Sequence, residues 1–156
     1  MKGFVPTPPH LVDAMVAKLF RTRRPTSDDV LLDPGCGTGA FLEGVIRWCR
    51  IEGCPIPRLV GVESDPILLN VAREKLGYGV SVQLRHEDFL SSRNGEFDFI
   101  VGNPLYVPIT GLTSEERVTY RSQFRTARGR FDLYLLFFEQ SLRLLKPKGR
   151  LGIVTE

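Results

Sequence analysis

The sequence predicts an open α/β sheet, mostly parallel and covered by helices on both faces. Short apolar runs alternate with amphipathic stretches, the pattern of strands joined by crossover helices. A glycine-rich turn directly follows the first apolar run. The 156 residues are 42% hydrophobic and 25% charged, which suits one packed domain and argues against a disordered, collagen-like or membrane chain.

Residues 10–20 carry Leu11, Ala14, Met15 and Leu19 at helical spacing after a proline-rich entry, so a first helix is expected there with that stripe inward. Val30, Leu31 and Leu32 read as a buried strand that stops at the turn Asp33-Pro34-Gly35. A helix over 40–50 follows. Residues 59–63 repeat the strand pattern, and Asp65 and Pro66 supply a cap and a first-turn proline for a helix over 67–76. Residues 80–84 and 97–101 are two further strands. The stretch 107–130 exceeds the usual loop length, which predicts a functional loop or short helices. Residues 131–145 read as a helix with Phe131, Tyr134, Leu135, Phe138, Leu142 and Leu145 on one stripe, ended by Lys146-Pro147-Lys148-Gly149. A last strand is expected over 151–154. These elements make a Rossmann-like fold.

Twenty-one Lys and Arg against 18 Asp and Glu leave a net charge of +3, too slight to identify a nucleic-acid partner by itself. No apolar run approaches a membrane span, and the first residues have no signal-peptide core, so a cytoplasmic protein with no membrane partner is expected. Cys36, Cys49 and Cys54 lack metal-ligand spacing, so no metal site is expected and reduced thiols are the default.

The loop Asp33, Pro34, Gly35, Cys36, Gly37, Thr38, Gly39 lies between a strand and its helix, where glycines permit positive φ and let a ligand approach the backbone. Glu63 ends the next strand, 24 residues after Gly39, where a carboxylate can accept hydrogen bonds from both hydroxyls of a ribose. The glycine spacing also suits a nicotinamide dinucleotide. Asp33 weighs against that choice, because a carboxylate beside the loop repels a pyrophosphate and attracts an ammonium group. S-adenosylmethionine has a ribose and an ammonium and no phosphate. The plain alternative is that Asp33 and Asp65 cap turns and the glycines shape them. Asp88 can accept from an adenine amino group with Phe89 packed near the ring, although an Asp-Phe pair at a strand end also serves as a turn beside a core aromatic.

After the fourth strand comes Gly102-Asn103-Pro104-Leu105-Tyr106. An exocyclic amine on a nucleobase is a poor nucleophile because its lone pair is delocalised into the ring. The Asn103 side-chain oxygen and the Pro104 carbonyl can accept its two N–H bonds and favour a pyramidal nitrogen. Tyr106 supplies a flat face for a base flipped out of a duplex.

These residues resemble the S-adenosylmethionine-dependent DNA adenine-N6 methyltransferases, in the gamma-type arrangement of restriction-modification systems. Residues 4–9 are similar to that family's amino-terminal cofactor motif, which implies that Thr7 and Pro8 contact the methionine part. Residues 33–41 resemble its glycine motif, with Asp33, Pro34, Gly35, Cys36 and Gly37 at the cofactor. Residues 63–66 resemble its ribose motif, with Glu63 and Ser64. Asp88 and Phe89 match its adenine-contacting motif, and residues 103–106 its Asn-Pro-Pro-Tyr catalytic motif, with Leu105 at the second proline. Asn103 would then serve both cofactor and target. The resemblance implies a class I methyltransferase fold lacking the family's final strands and its target-recognition domain. A fragment of this kind is expected to bind cofactor, to methylate DNA poorly and to self-associate through an exposed sheet edge.

Methyltransferases of the same fold that act on release-factor glutamine or ribosomal RNA guanine carry similar motifs. A non-catalytic cofactor-binding or interaction module is the alternative from another class. Arg117, Arg121, Arg125, Arg128 and Arg130 follow Tyr106 with no acid between Glu116 and Asp132; they read equally as phosphate ligands or a solvated face. Arg21, Arg23 and Arg24 read as ordinary surface charge.

Overall fold

The computed structural model describes residues 6–77, 80–92, 95–103, 111–129 and 131–154. Five strands, β1 (Val30–Asp33), β2 (Arg58–Glu63), β3 (Val82–His86), β4 (Phe97–Gly102) and β5 (Leu145–Ile153), form one sheet in the order β3-β2-β1-β4-β5. Every neighbouring pair is parallel. The chain steps outward from β1 to β3 and returns to β4 on the other side of β1. Beyond the carboxyl ends of β1 and β4 this reversal opens a crevice, the usual ligand site of such sheets.

Helices α1 (Pro9–Leu19), α2 (Ala40–Glu52) and α3 (Pro66–Leu76) share a core on one face with Leu31, Leu59, Phe99 and Val101. The opposite face packs α5 (Leu133–Leu144), the ends of the α4 segment (α4, Ser114–Gln123) and a short 3-10 turn at Phe89–Ser91 against Leu32, Val60 and Ile100. Alternation along β1 sends Leu31 to one core and Leu32 to the other, as a sheet covered on both faces requires.

The element order follows the sequence pattern, but two helix faces differ. On α1 the buried residues are Val12, Val16 and Leu19, whereas Ala14 is exposed and Leu11 and Met15 are half-buried. On α5 the inward face is Leu133, Leu136, Phe137, Gln140, Ser141 and Leu144. Leu135, Phe138 and Leu142 of the expected stripe point outward, at 38%, 37% and 49% exposure. The helix is apolar on nearly all sides, so periodicity does not select its core face. Gln140 decides it: its amide donates to the carbonyls of Phe89 and Ser92, tying α5 to the turn after β3.

The stretch after the fourth strand contains α4, started by a capping box in which Thr113 and Glu116 exchange side-chain and backbone hydrogen bonds. β5 begins at Leu145, six residues before the expected position. Leu145 opposes Phe97 and Arg150 opposes Phe99, so 146–149 form an irregularity opposite Asp98. Arg23 is more than surface charge: it pairs with Asp29 at 2.8 Å and lies 3.7 Å from Asp98, which also accepts from Val30 N–H and Lys146. The three cysteines are free thiols. Among the described residues no helix is long and apolar enough to cross a membrane.

Candidate cofactor and methyl-transfer site

Asp33 ends β1 with 1% of its surface exposed, and its carboxylate accepts from the Gly35 N–H at 3.2 Å. Burial, reinforced by the charge of Glu63, pushes its pKa up to about 7 against the pull of that hydrogen bond. Gly102 at the end of β4 faces it closely: a Cβ there would lie 2.7 Å from Asp33 Oδ1. The two strand ends therefore meet at the crevice, and glycine is what lets them meet.

Gly37 and Gly39 hold φ of 53° and 92°, the left-handed backbone that favours glycine. The loop they shape is tied to β2, with the Cys36 N–H on the Val62 carbonyl at 2.9 Å and the Gly37 N–H on Glu63 Oε1 at 3.0 Å. Glu63 Oε2 accepts the Asp65 N–H at 2.9 Å. One carboxylate thus spans the turns after β1 and β2. A carboxylate offers about four lone-pair sites, so two acceptor positions remain for hydroxyls. Cys36 is buried, and burial pushes its thiol pKa well up, so it is a packing residue of the loop and no nucleophile.

Asp65 caps α3 by accepting from Ile67 and Leu68 N–H, at 2.8 and 3.4 Å. Ser64 is exposed beside it, and its carbonyl lies 3.0 Å from His86 Nε2. Asp88 is exposed and accepts from Leu90 N–H and the Ser91 hydroxyl. Phe89 is 2% exposed and packs in the core, 5.3 Å between centroids from Phe137, the arrangement of the alternative in which the Asp-Phe pair is a turn beside a core aromatic.

Asn103 follows β4. Its amide nitrogen donates to Thr7 Oγ1 at 3.2 Å, joining residues 96 apart in sequence. Its Oδ1 is buried with no hydrogen-bond partner among the described residues. An unpaired buried carbonyl costs on the order of 1–3 kcal/mol, so it marks a place where an external donor belongs. Pro8 is exposed at the start of α1 and Pro34 is buried behind Asp33. Pro104, Leu105 and Tyr106 lie outside the described residues, as does Arg130. The sequence did not reveal the Thr7–Asn103 bond, the closeness of Gly102 to Asp33, or the double use of Glu63. Of these only Gly102 carried a local signal, a glycine at the strand end immediately before Asn103.

Residues 59–156 match the Eco57I restriction-modification methylase family. The chain belongs to that family. Among its relatives, the type II methyltransferase M.TthHB8I of Thermus thermophilus is 36% identical over 97% of this chain and 34% of its own length. The modification methylase CviBIII of Paramecium bursaria Chlorella virus NC1A is 34% identical over 80% of the chain and 30% of its own. The chain spans about a third of the length of these curated relatives. A solved Listeria monocytogenes protein described as a class I S-adenosylmethionine-dependent methyltransferase superposes with a TM-score of 0.69 at 23% identity, over 93% of this chain and 43% of its own. The fold is the class I methyltransferase fold, as the sequence predicts.

Proposed function

We propose that the chain is the S-adenosylmethionine-binding, methyl-transferring core of a restriction-modification enzyme that methylates the N6 amine of adenine in DNA. The observation that carries this reading is the buried Asn103 Oδ1, without a hydrogen-bond partner among the described residues, on the residue that follows Gly102 where β4 meets Asp33. The residue chemistry supports the cofactor: Asp33 is a buried carboxylate at the end of β1 suited to an ammonium, Glu63 retains acceptor positions for ribose hydroxyls, and Asp88 stands exposed at the next strand end for an adenine amine. S-adenosylmethionine supplies the electrophilic methylsulfonium. Asn103 Oδ1 accepts one N–H of the target amine and the Pro104 carbonyl the other, which localises the nitrogen lone pair, while Tyr106 stacks on the extruded base. Thr7 holds the Asn103 amide in the orientation that leaves Oδ1 free. β5 is an edge of the described sheet, and we include self-association along it in the proposal.

Calorimetric titration with S-adenosylmethionine and with a nicotinamide dinucleotide tests the cofactor. Tritiated methyl transfer to mixed DNA, RNA and release factor, by this chain and by a longer protein containing it, tests the substrate. Binding of the methyl donor with label in DNA at adenine N6 is expected. Preference for the dinucleotide, or label confined to RNA or release factor, overturns the assignment.

A further inference from the structure

Four arginines not used by the site lie within the twelve residues 117–128. Arg117 and Arg121 stand one turn apart on α4 and share a face of it. Arg125 and Arg128 follow the helix directly. Five basic side chains elsewhere are ion-paired, Arg23 with Asp29, Arg24 with Glu52, Arg47 with Asp13, Arg143 with Glu139 and Lys146 with Asp98, while others such as Arg50 and Arg58 carry no ion pair among the described residues but are not clustered. Among the described residues none of the four has such a partner. Arg121 lies over the Phe131 ring at 5.9 Å and donates to the Gly129 carbonyl, which orders the guanidinium without neutralising it.

α4 fully buries none of its own residues and packs only Tyr120 against the core, so packing does not explain its arginines. It is anchored at its ends, by Leu112 before it and by Phe124 and Ala127 after it, in the core that also holds Phe89, Leu90 and Phe137. Phe137 reaches the glycine loop, 3.8 Å from where a Gly35 Cβ would stand. Tyr120 on α4 is close enough to Asp88 for that carboxylate to help raise its pKa, after burial. Arg121, over Phe131 just before α5, is thereby set toward the carboxyl edge that holds Asn103, while Arg125 follows α5 down the sheet face toward Glu139 and Arg143.

We propose that Arg117, Arg121, Arg125 and Arg128 form the surface that holds the phosphate backbone of duplex DNA while Asn103 acts on one of its bases. The inference rests on the methyl-transfer reading above. A guanidinium fork matches a phosphate with two parallel hydrogen bonds and carries no base preference, so the patch positions the duplex and leaves recognition to other groups. Duplex DNA is favoured over a protein partner because the patch joins four unpaired charges with only one large exposed apolar residue on α4, Val118.

The test is fluorescence anisotropy of this chain with a labelled duplex of about 30 base pairs across a salt series starting near 50 mM. The variant joins Arg117→Gln with Arg121→Gln, and Arg50→Gln with Arg58→Gln serves as the control from elsewhere on the surface. Each lost phosphate contact lowers the slope of log affinity against log salt by about 0.9, so the double variant should lose about 1.8 and bind at least tenfold more weakly. The control should match wild type. Arg128→Gln, outside the helix, should lose about 0.9 of the slope and carries the test should the double variant misfold. Absence of duplex binding at the lowest salt, equal loss in the control, or stronger competition by duplex RNA overturns the proposal. The double variant should still bind S-adenosylmethionine by calorimetry. Failure of that binding in wild type is instead a failure of the methyl-transfer reading.

Discussion

The turns after β1 and β2 and the turn after β4 meet at one crevice but are finished to different degrees. On the β1–β2 side the polar groups satisfy one another: Glu63 accepts from Gly37 and Asp65, Cys36 N–H from one turn reaches Val62 of β2, and Asp65 caps α3. On the β4 side Asn103 is held at its nitrogen by Thr7 and left open at its oxygen. On the proposed reading, the difference separates a half preorganised for the cofactor from a half that awaits the target amine. A cofactor site gains affinity by being rigid before binding. An acceptor that must act on a passing amine gains by being oriented and unpaired.

The largest effect is expected from the charge buried between the two halves. In the unfolded chain Asp33 ionises near 3.8, and in the fold near 7 because burial disfavours the charged form. The folded state therefore holds an extra proton in that window. The contribution of Asp33 to stability is full below about pH 4 and is lost as pH rises toward 7, by on the order of 4 kcal/mol. Asp33→Asn should flatten the profile. A cation set against the carboxylate offsets the loss, so stabilisation by S-adenosylmethionine should grow over the same window. Urea midpoints from about pH 4 to about pH 8, with and without ligand, check this. Parallel profiles for wild type and variant would show that Asp33 is not the buried charge that joins the halves.

Asn103→Ala breaks the unfinished side. In a methyltransferase carrying this core it should cut turnover by about 10²–10³, the cost of removing one preorganised hydrogen-bonding group at a reacting centre. Cofactor affinity should stay close to wild type. An equal fall in cofactor affinity would mean that Asn103 belongs with the preorganised half.

Glu63→Ala breaks the finished side. Loss of hydrogen bonds to a charged acceptor is worth roughly 1.5–3 kcal/mol, about a tenfold to hundredfold weaker S-adenosylmethionine complex by calorimetry. The same change frees the Gly37 and Asp65 N–H groups. Glu63→Gln, which keeps one carbonyl acceptor, should fall between the two. Unchanged affinity in Glu63→Ala would remove the ribose role and leave Glu63 as a strut.

Much of this division was legible in the sequence, because strand ends and glycine turns announce where ligands bind. That rule points to Asp33 and Glu63, amide chemistry and the family resemblance to Asn103, and helix-start chemistry to Asp65 and Pro66. What escaped depends on approach in three dimensions. Residues 7 and 103 are neighbours only once α1 and β4 pack on the same face, and Gly102 is informative only when Asp33 is seen beside it. The α5 face escaped for another reason: Leu135, Phe138 and Leu142 are as apolar as the residues that are buried, and the inward Gln140 and Ser141 interrupt the stripe a reader looks for.

The smallest expected effect sharpens the comparison most. The family resemblance puts Thr7 at the methionine end of the cofactor, whereas the structure puts its hydroxyl on Asn103 Nδ2. Thr7→Val keeps the shape and removes the acceptor. One net hydrogen bond is worth about 1 kcal/mol, so turnover should fall about fivefold as the amide loses its orientation. Thr7→Ser restores the oxygen and should recover most of it. If Thr7 acts through Asn103, kcat falls while the KM for S-adenosylmethionine holds, and Thr7→Val adds little to Asn103→Ala because the side chain it orients is already gone. If KM rises in its place and the two losses add, Thr7 belongs to the cofactor half, and the boundary between the finished and unfinished sides runs between Thr7 and Asn103.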